Sequence, residues 1–205
     1  MAATEEVLTQ NLAAVRERIA EAAARSGRSA HDVTLVAVTK YVDESVTRLL
    51  TEVGCRTLGE SRPQALWRKA ESLAGMQLDW HMIGHLQRNK IRRTLPLISC
   101  LHSADSERLL DSLQQEADRN DCQPRVLLEV NISGDVEKTG LSPSAALELV
   151  PRLNHWNCLQ ICGVMAMSGR VSEEVQARRE FAAVRELRDR MREACPSGVD
   201  LPELS

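Results

Sequence analysis

Seven short apolar runs alternate with helix-patterned segments along most of the chain, and this alternation restricts it to architectures built on a parallel sheet. The runs are Val33–Val38 (VTLVAV), Cys55–Leu58, Trp80–Ile83, Leu97–Leu101 (LISCL), Val126–Ile132 (VLLEVNI), Leu159–Met167 and Val199–Leu204. Asp43 stands at an N-cap position before Val46, Leu49, Leu50 and Val53, with Gly54 as the stop. A second helix is predicted over Arg62–Leu73, a third from about Leu86 to Leu95, and a fourth capped by Asp105 and carrying Leu109, Leu110 and Leu113. Ser142 and Pro143 supply a cap and first-turn proline for a helix through Val150, and the helix after Ser172 uses Phe181, Val184, Leu187 and Met191. Ahead of all these, Leu8, Leu12, Val15 and Ile19 give the first 27 residues an amphipathic helical period that Gly27 ends. A strand, a helix and a second parallel strand are joined by a right-handed crossover. Seven such strands fit either a (β/α)8 barrel or an open doubly wound sheet, and the barrel requires an eighth strand to close. No G-x-G-x-x-G follows the first run, which counts against a dinucleotide-binding fold.

With 205 residues, 43% apolar and 27% charged, the chain has the composition of one globular domain and no internal repeat or linker divides it. The net charge of −3 argues against a nucleic-acid binder. Aromatic residues are scarce, comprising three tryptophans, Tyr41 and Phe181, so stacking surfaces are few. No apolar run approaches the roughly 20 residues a membrane span requires. The acidic start (MAATEEVLTQ) lacks the basic region of a secretion signal, and six cysteines without a C-x-x-C pair suit reduced thiols in the cytoplasm.

In either architecture chemistry is expected where strands end, at the carboxyl edge of the sheet. Polar residues cluster there: Thr39-Lys40, Gly59-Glu60-Ser61-Arg62, Gly84-His85, His102-Ser103, Asn131-Ile132-Ser133-Gly134 and Met165-Ala166-Met167-Ser168. Lys40 closes the first buried run and has two readings. It is a strand-end lysine paired with an acid, or an amine that desolvation against apolar neighbours prepares for nucleophilic work. Gly134 to Gly140 (GDVEKTG) lacks the glycine before lysine that a phosphate-cradling loop needs, so it reads as a turn. His81 and His85 on one strand would lie about 13 Å apart, too far to share an ion, and no metal is expected. The basic run Arg88 to Arg93 reads as a solvated helix face, and Cys158 and Cys162 as core packing.

Four segments, VTLVAVTKYVDESVTRLL, LGESRPQALWRKAESL, DWHMIGHLQRNKIRRTLPLISCLHSADSERLL and VLLEVNISGDVEKTGL, closely resemble the pyridoxal-phosphate homeostasis proteins, which are themselves similar to the barrel domain of alanine racemase. The likeness runs in order along essentially the whole chain. It implies an α/β fold, a (β/α)8 TIM barrel of PLP fold type III with an extra N-terminal helix, forming a single PLP-binding domain over residues 1–205 and lacking the eighth strand-helix unit. It further implies that pyridoxal 5'-phosphate (PLP) is held as an internal aldimine, a Schiff base on Lys40, with Ser61, His81, Asn131 and Met165 as further cofactor contacts. Ser61 stands where the family has asparagine after Gly-Glu, and a hydroxyl offers fewer hydrogen-bonding groups than an amide. The family continues past the point corresponding to Ser205 with a Ser-Met-Gly-Met-Ser-type segment and a final strand, which supply a phosphate cup and a basic residue near the pyridine nitrogen.

The implied role is intracellular vitamin B6 homeostasis without efficient catalysis, by a cytoplasmic monomer whose partners are PLP and the apo-enzymes that receive it, with no nucleic acid or membrane involved. The alternative is an amino-acid racemase or decarboxylase of the alanine racemase type. Racemisation needs proton donors on both faces of a carbon. The only tyrosine, Tyr41, adjoins Lys40 itself, and no length remains for a second domain to supply the opposite face.

Overall fold

The computed structural model describes residues 4–135, 137–168 and 174–205. Helix α1 (Glu5–Arg25) opens with Thr4, whose hydroxyl accepts from the Val7 N–H, and ends ahead of Gly27, which turns the chain at φ +70°. The repeating part follows: β1 (Ala37–Val38), α2 (Glu44–Glu52), β2 (Thr57–Glu60), α3 (Pro63–Ser72), β3 (Asp79–Met82), α4 (Ile91–Thr94), β4 (Cys100–Ala104), α5 (Glu107–Arg119), β5 (Arg125–Glu129), α6 (Pro143–Leu149), β6 (Gln160–Met165), α7 (Glu174–Glu193) and β7 (Glu203–Leu204). The strands form one parallel sheet in the order β1-β2-β3-β4-β5-β6-β7.

That sequential order decides between the two architectures. A doubly wound sheet reverses direction and places helices on both faces, whereas right-handed crossovers that always step the same way keep them on one. The seven strands among the described residues therefore curl as the wall of a parallel α/β barrel, helices outside. Side-chain alternation agrees. Leu58, Trp80, Met82, Leu101, Val126, Leu128, Ile161 and Val164 face the helices and join the main core with Leu66, Leu110, Leu113, Leu149 and Leu187. The opposite, inner face carries a separate small cluster of Cys100, Leu127, Cys162 and Met165.

Several sequence expectations are corrected. The run Val33–Val38 forms a ladder only at Ala37–Val38, where β1 pairs with β2. The strand expected at Leu97–Leu101 starts at Cys100, since Leu95–Leu97 closes the preceding helical segment as a 3₁₀ turn, and that expected at Cys55–Leu58 shifts to Thr57–Glu60. The helix expected from Leu86 is delayed by extended Gln87 and divides into a 3₁₀ turn at Arg88–Lys90, α4 and the turn at Leu95–Leu97. Ser106, not Asp105, is the N-cap of α5, because the Asp105 carboxylate is taken by His85 and the Ser106 hydroxyl. Phe181 is half exposed. Val184, Leu187 and Met191 of α7 are buried on the expected face, and Glu180 is buried at its start in place of Phe181. Among the described residues no helix is long and apolar enough to cross a membrane.

Candidate functional site

Thr39, one residue past β1, is tied to β2 and α3 by hydrogen bonds. Its N–H donates to the Gly59 carbonyl at 2.9 Å, its hydroxyl donates to Glu60 Oε1 at 2.9 Å, and its carbonyl accepts from Lys69 Nζ at 2.7 Å. Lys69 and Glu60 form an ion pair buried between β2 and α3, and Glu60 Oε2 has no hydrogen-bond partner. A buried pair of this kind contributes little net stability, but each charge depends on the other. Its position beneath Thr39 anchors the backbone from which Lys40 leaves the strand.

Alternation in β1 puts Val38 on the inner face, the Thr39 hydroxyl reaches the helix-side Glu60, and Lys40 follows in the turn after the strand. Lys40 is exposed, with Nζ 5.0 Å from the centroid of the Tyr41 ring, and among the described residues it makes no hydrogen bond or ion pair. Lys69 is ion-paired as above, Lys138 donates to Ser133 Oγ and the Met167 carbonyl at 3.0 Å each, and Lys90, like Lys40, lies over an aromatic ring, that of Trp67. The acid-paired reading therefore does not hold for Lys40 among the described residues; the acid-paired lysine beside it is Lys69.

The rest of the carboxyl rim follows from the same loops. Ser61 continues the inner-face parity of Gly59, and Gly84 passes so close that a Cβ there would overlap the Ser61 carbonyl. His85 Nδ1 lies 2.7 Å from Asp105 Oδ2 across the ends of β3 and β4. Asn131, after β5, spends its amide on its own loop, donating to the Asp135 carbonyl at 2.7 Å and accepting from Ser133. Glu129 closes β5 on the inner side and accepts from the Thr139 hydroxyl at 2.8 Å; burial pushes its carboxyl pKa up, against the lowering effect of that bond. The acid within VLLEVNI was the sequence signal for Glu129, and it was passed over.

His81 and Met165 sit deeper. His81 pairs in register with Gly59 and Cys100 and is buried with Nδ1 2.8 Å from His102 Nε2; His102 Nδ1 in turn lies 2.8 Å from Ser205 Oγ. Burial lowers both imidazole pKa values, His102 to about 4, so both are neutral at neutral pH. The Met165 side chain packs with Cys100, Leu127 and Cys162, while its carbonyl accepts from Val130 N–H at 2.8 Å. Lys40, Ser61 and Asn131 therefore share the rim, and His81 and Met165 line the wall below it. His81 and His85, four apart in sequence, have different partners, as their strand spacing requires.

Residues 10–199 match the family model described as alanine racemase, N-terminal domain. The chain belongs to this family. A pyridoxal phosphate homeostasis protein of Aquifex aeolicus is 33% identical over 196 residues, covering 96% of this chain and 85% of that protein. Among solved structures, an unknown protein from Bifidobacterium adolescentis superposes with a TM-score of 0.87 at 31% identity, covering 98% of this chain and 85% of that one. PipY of Synechococcus elongatus, solved with PLP bound, gives 0.85 at 26% identity, covering 96% and 87%. As a member of this family, the chain has the family's barrel wall, with Lys40 where its first strand ends.

Proposed function

We propose that this protein binds pyridoxal 5'-phosphate and serves PLP homeostasis, with Lys40 as its point of attachment. The observation that carries this reading is a lysine with no hydrogen bond or ion pair among the described residues, at the carboxyl edge of the sheet, rising from a backbone held by the Thr39, Glu60 and Lys69 bonds. When bound, PLP supplies an aldehyde that condenses reversibly with an amine. The residues present suit such a group: Lys40 is exposed and held by no carboxylate among the described residues, and Ser61 adds a hydroxyl at the same edge. Asn131 closes its own loop and shapes the rim through the backbone. Met165 and His81 form the floor. The relatives' names as PLP homeostasis proteins and the PLP-bound PipY structure support the same reading.

The protein acts as a carrier without efficient catalysis. A racemase places proton donors on both faces of the substrate carbon. Here Tyr41, the only tyrosine, lies against the Lys40 amine itself.

Borohydride reduction of the PLP-loaded protein followed by peptide mapping is expected to find the adduct on Lys40 and to lose it in Lys40→Met. An adduct on Lys69, Lys90 or Lys138 overturns the assignment. In deuterated water, exchange of the alanine alpha proton at the rate of free PLP is expected; faster exchange would establish the racemase-type alternative.

A further inference from the structure

We propose that the inner face of the sheet holds a site for a thiophilic, tetrahedral divalent cation of the zinc type, with His81, Cys100 and His102 as its protein ligands. One ligand atom from each of these three buried residues lies within 4.8 Å of the other two. They come from adjacent strands. His81 of β3 and Cys100 of β4 are register partners, and His102 is the next inner-face residue along β4. Zinc binds imidazole nitrogen at about 2.0–2.1 Å and thiolate sulfur at about 2.3 Å, so tetrahedral donors sit roughly 3.3–3.6 Å from one another. The facing nitrogens of the two imidazoles are 2.8 Å apart with the ring centroids 5.0 Å apart, so they share a hydrogen bond, and an ion takes its place only when both rings turn to converge their lone pairs beside Cys100. Two imidazoles and a thiolate favour zinc over calcium or magnesium, which take oxygen. Three protein donors leave a fourth position for water.

The outer nitrogens supply a second, independent argument. A ligating histidine usually donates its remaining N–H to a carboxylate or another acceptor. With His81 Nδ1 and His102 Nε2 on the ion, the protons sit on His81 Nε2 and His102 Nδ1. The first is 3.4 Å from Asp79 Oδ2 and the second 2.8 Å from Ser205 Oγ. In the ion-free structure His81 Nε2 is buried without a hydrogen bond. Of the two imidazoles only the one that donates in the shared hydrogen bond changes tautomer, its proton passing from the inner to the outer nitrogen of its own ring. The Cys100 thiol gives up one proton to solvent as its Cys100 S–M bond forms. His81 also belongs to the floor of the proposed PLP site, so the ion would lie directly below it.

The test uses the full chain, reduced, stripped with chelator, desalted and titrated with Co2+. One equivalent is expected to bind, with a thiolate-to-cobalt charge-transfer band and the visible bands of tetrahedral cobalt, both lost when Zn2+ displaces it. Cys100→Ser and His102→Gln, with folding checked by circular dichroism, are expected to weaken binding at least tenfold, while Cys55→Ser and Cys195→Ser leave it unchanged. X-ray absorption of the zinc-loaded wild-type protein keeps the idea testable if a variant misfolds, and is expected to find two imidazoles and one sulfur. A folded wild-type protein that gives no band, a band that survives Cys100→Ser in a folded protein, or a different ligand set overturns the proposal.

Discussion

Strands β4, β5 and β6 run five or six residues each and carry Leu101, Val126, Leu128 and Val164 with no exposed surface, whereas β1 and β7 are two residues long and leave Val38 53% and Leu204 42% exposed. The centre is held by apolar packing against helices. The region around β1 is held by polar anchoring, with the Lys69–Glu60 pair and the Thr39 hydroxyl tying it to β2 and α3. A two-residue ladder can still present a functional lysine at a fixed height because buried charge replaces buried area as the fastener. The candidate attachment site thus stands where the sheet is thinnest, over its most constrained ion pair.

The largest effect expected is at that fastener. Lys69→Met leaves the Glu60 carboxylate buried and alone, and should cost about 3–5 kcal/mol in urea unfolding. Adding Glu60→Gln should recover much of that loss. If the single variant loses less than about 1 kcal/mol, the edge is not held in this way. Next comes the contrast with the centre: Leu128→Ala should cost about 3 kcal/mol, a value typical of a fully buried leucine, whereas Val38→Ala should change stability by about 0.5 kcal/mol or less. Equal losses at the two positions would erase the distinction.

The smallest effect is a pH dependence. Burial raises the Glu129 pKa, so the folded state binds its proton more tightly than the unfolded chain does. Its contribution is fully present below the ordinary value of 4.5 and is lost as pH rises through the folded value. Glu129→Gln keeps an acceptor for Thr139 and should raise the urea midpoint at pH 8 while leaving it nearly unchanged at pH 4. A variant that loses stability equally at both values would show that the carboxyl acts through its hydrogen bond alone.

The same contrast explains what could be read from the sequence. All seven strands were visible as apolar runs, because burial on the helix side demands Leu, Val and Ile wherever a strand passes. Their limits were not. VTLVAV is the most strand-like run in the chain and yields a ladder of only two residues, since pairing depends on neighbours that composition does not record. Lys40 was legible because a lysine directly after an apolar run must leave the sheet. Its anchoring was not, because Lys69 lies 30 residues from Thr39 and faces it across a helix–sheet interface. For His81, position on a strand was readable, but its partner His102 is brought beside it only by the register of β3 on β4.

The sequential strand order also has a kinetic consequence. Each strand pairs with the one before it in the chain, so every new unit can dock as it is synthesised without waiting for distant sequence, the condition under which loop-closure entropy is smallest and folding fastest. Some contacts reach further: Arg125 with Glu203, 78 residues apart, and His102 with Ser205, 103 apart. Both join β7 and the residue after it to strands laid down much earlier. Amides of β7 should therefore gain protection from hydrogen exchange after those of β4–β6, as the wall zips in order of translation.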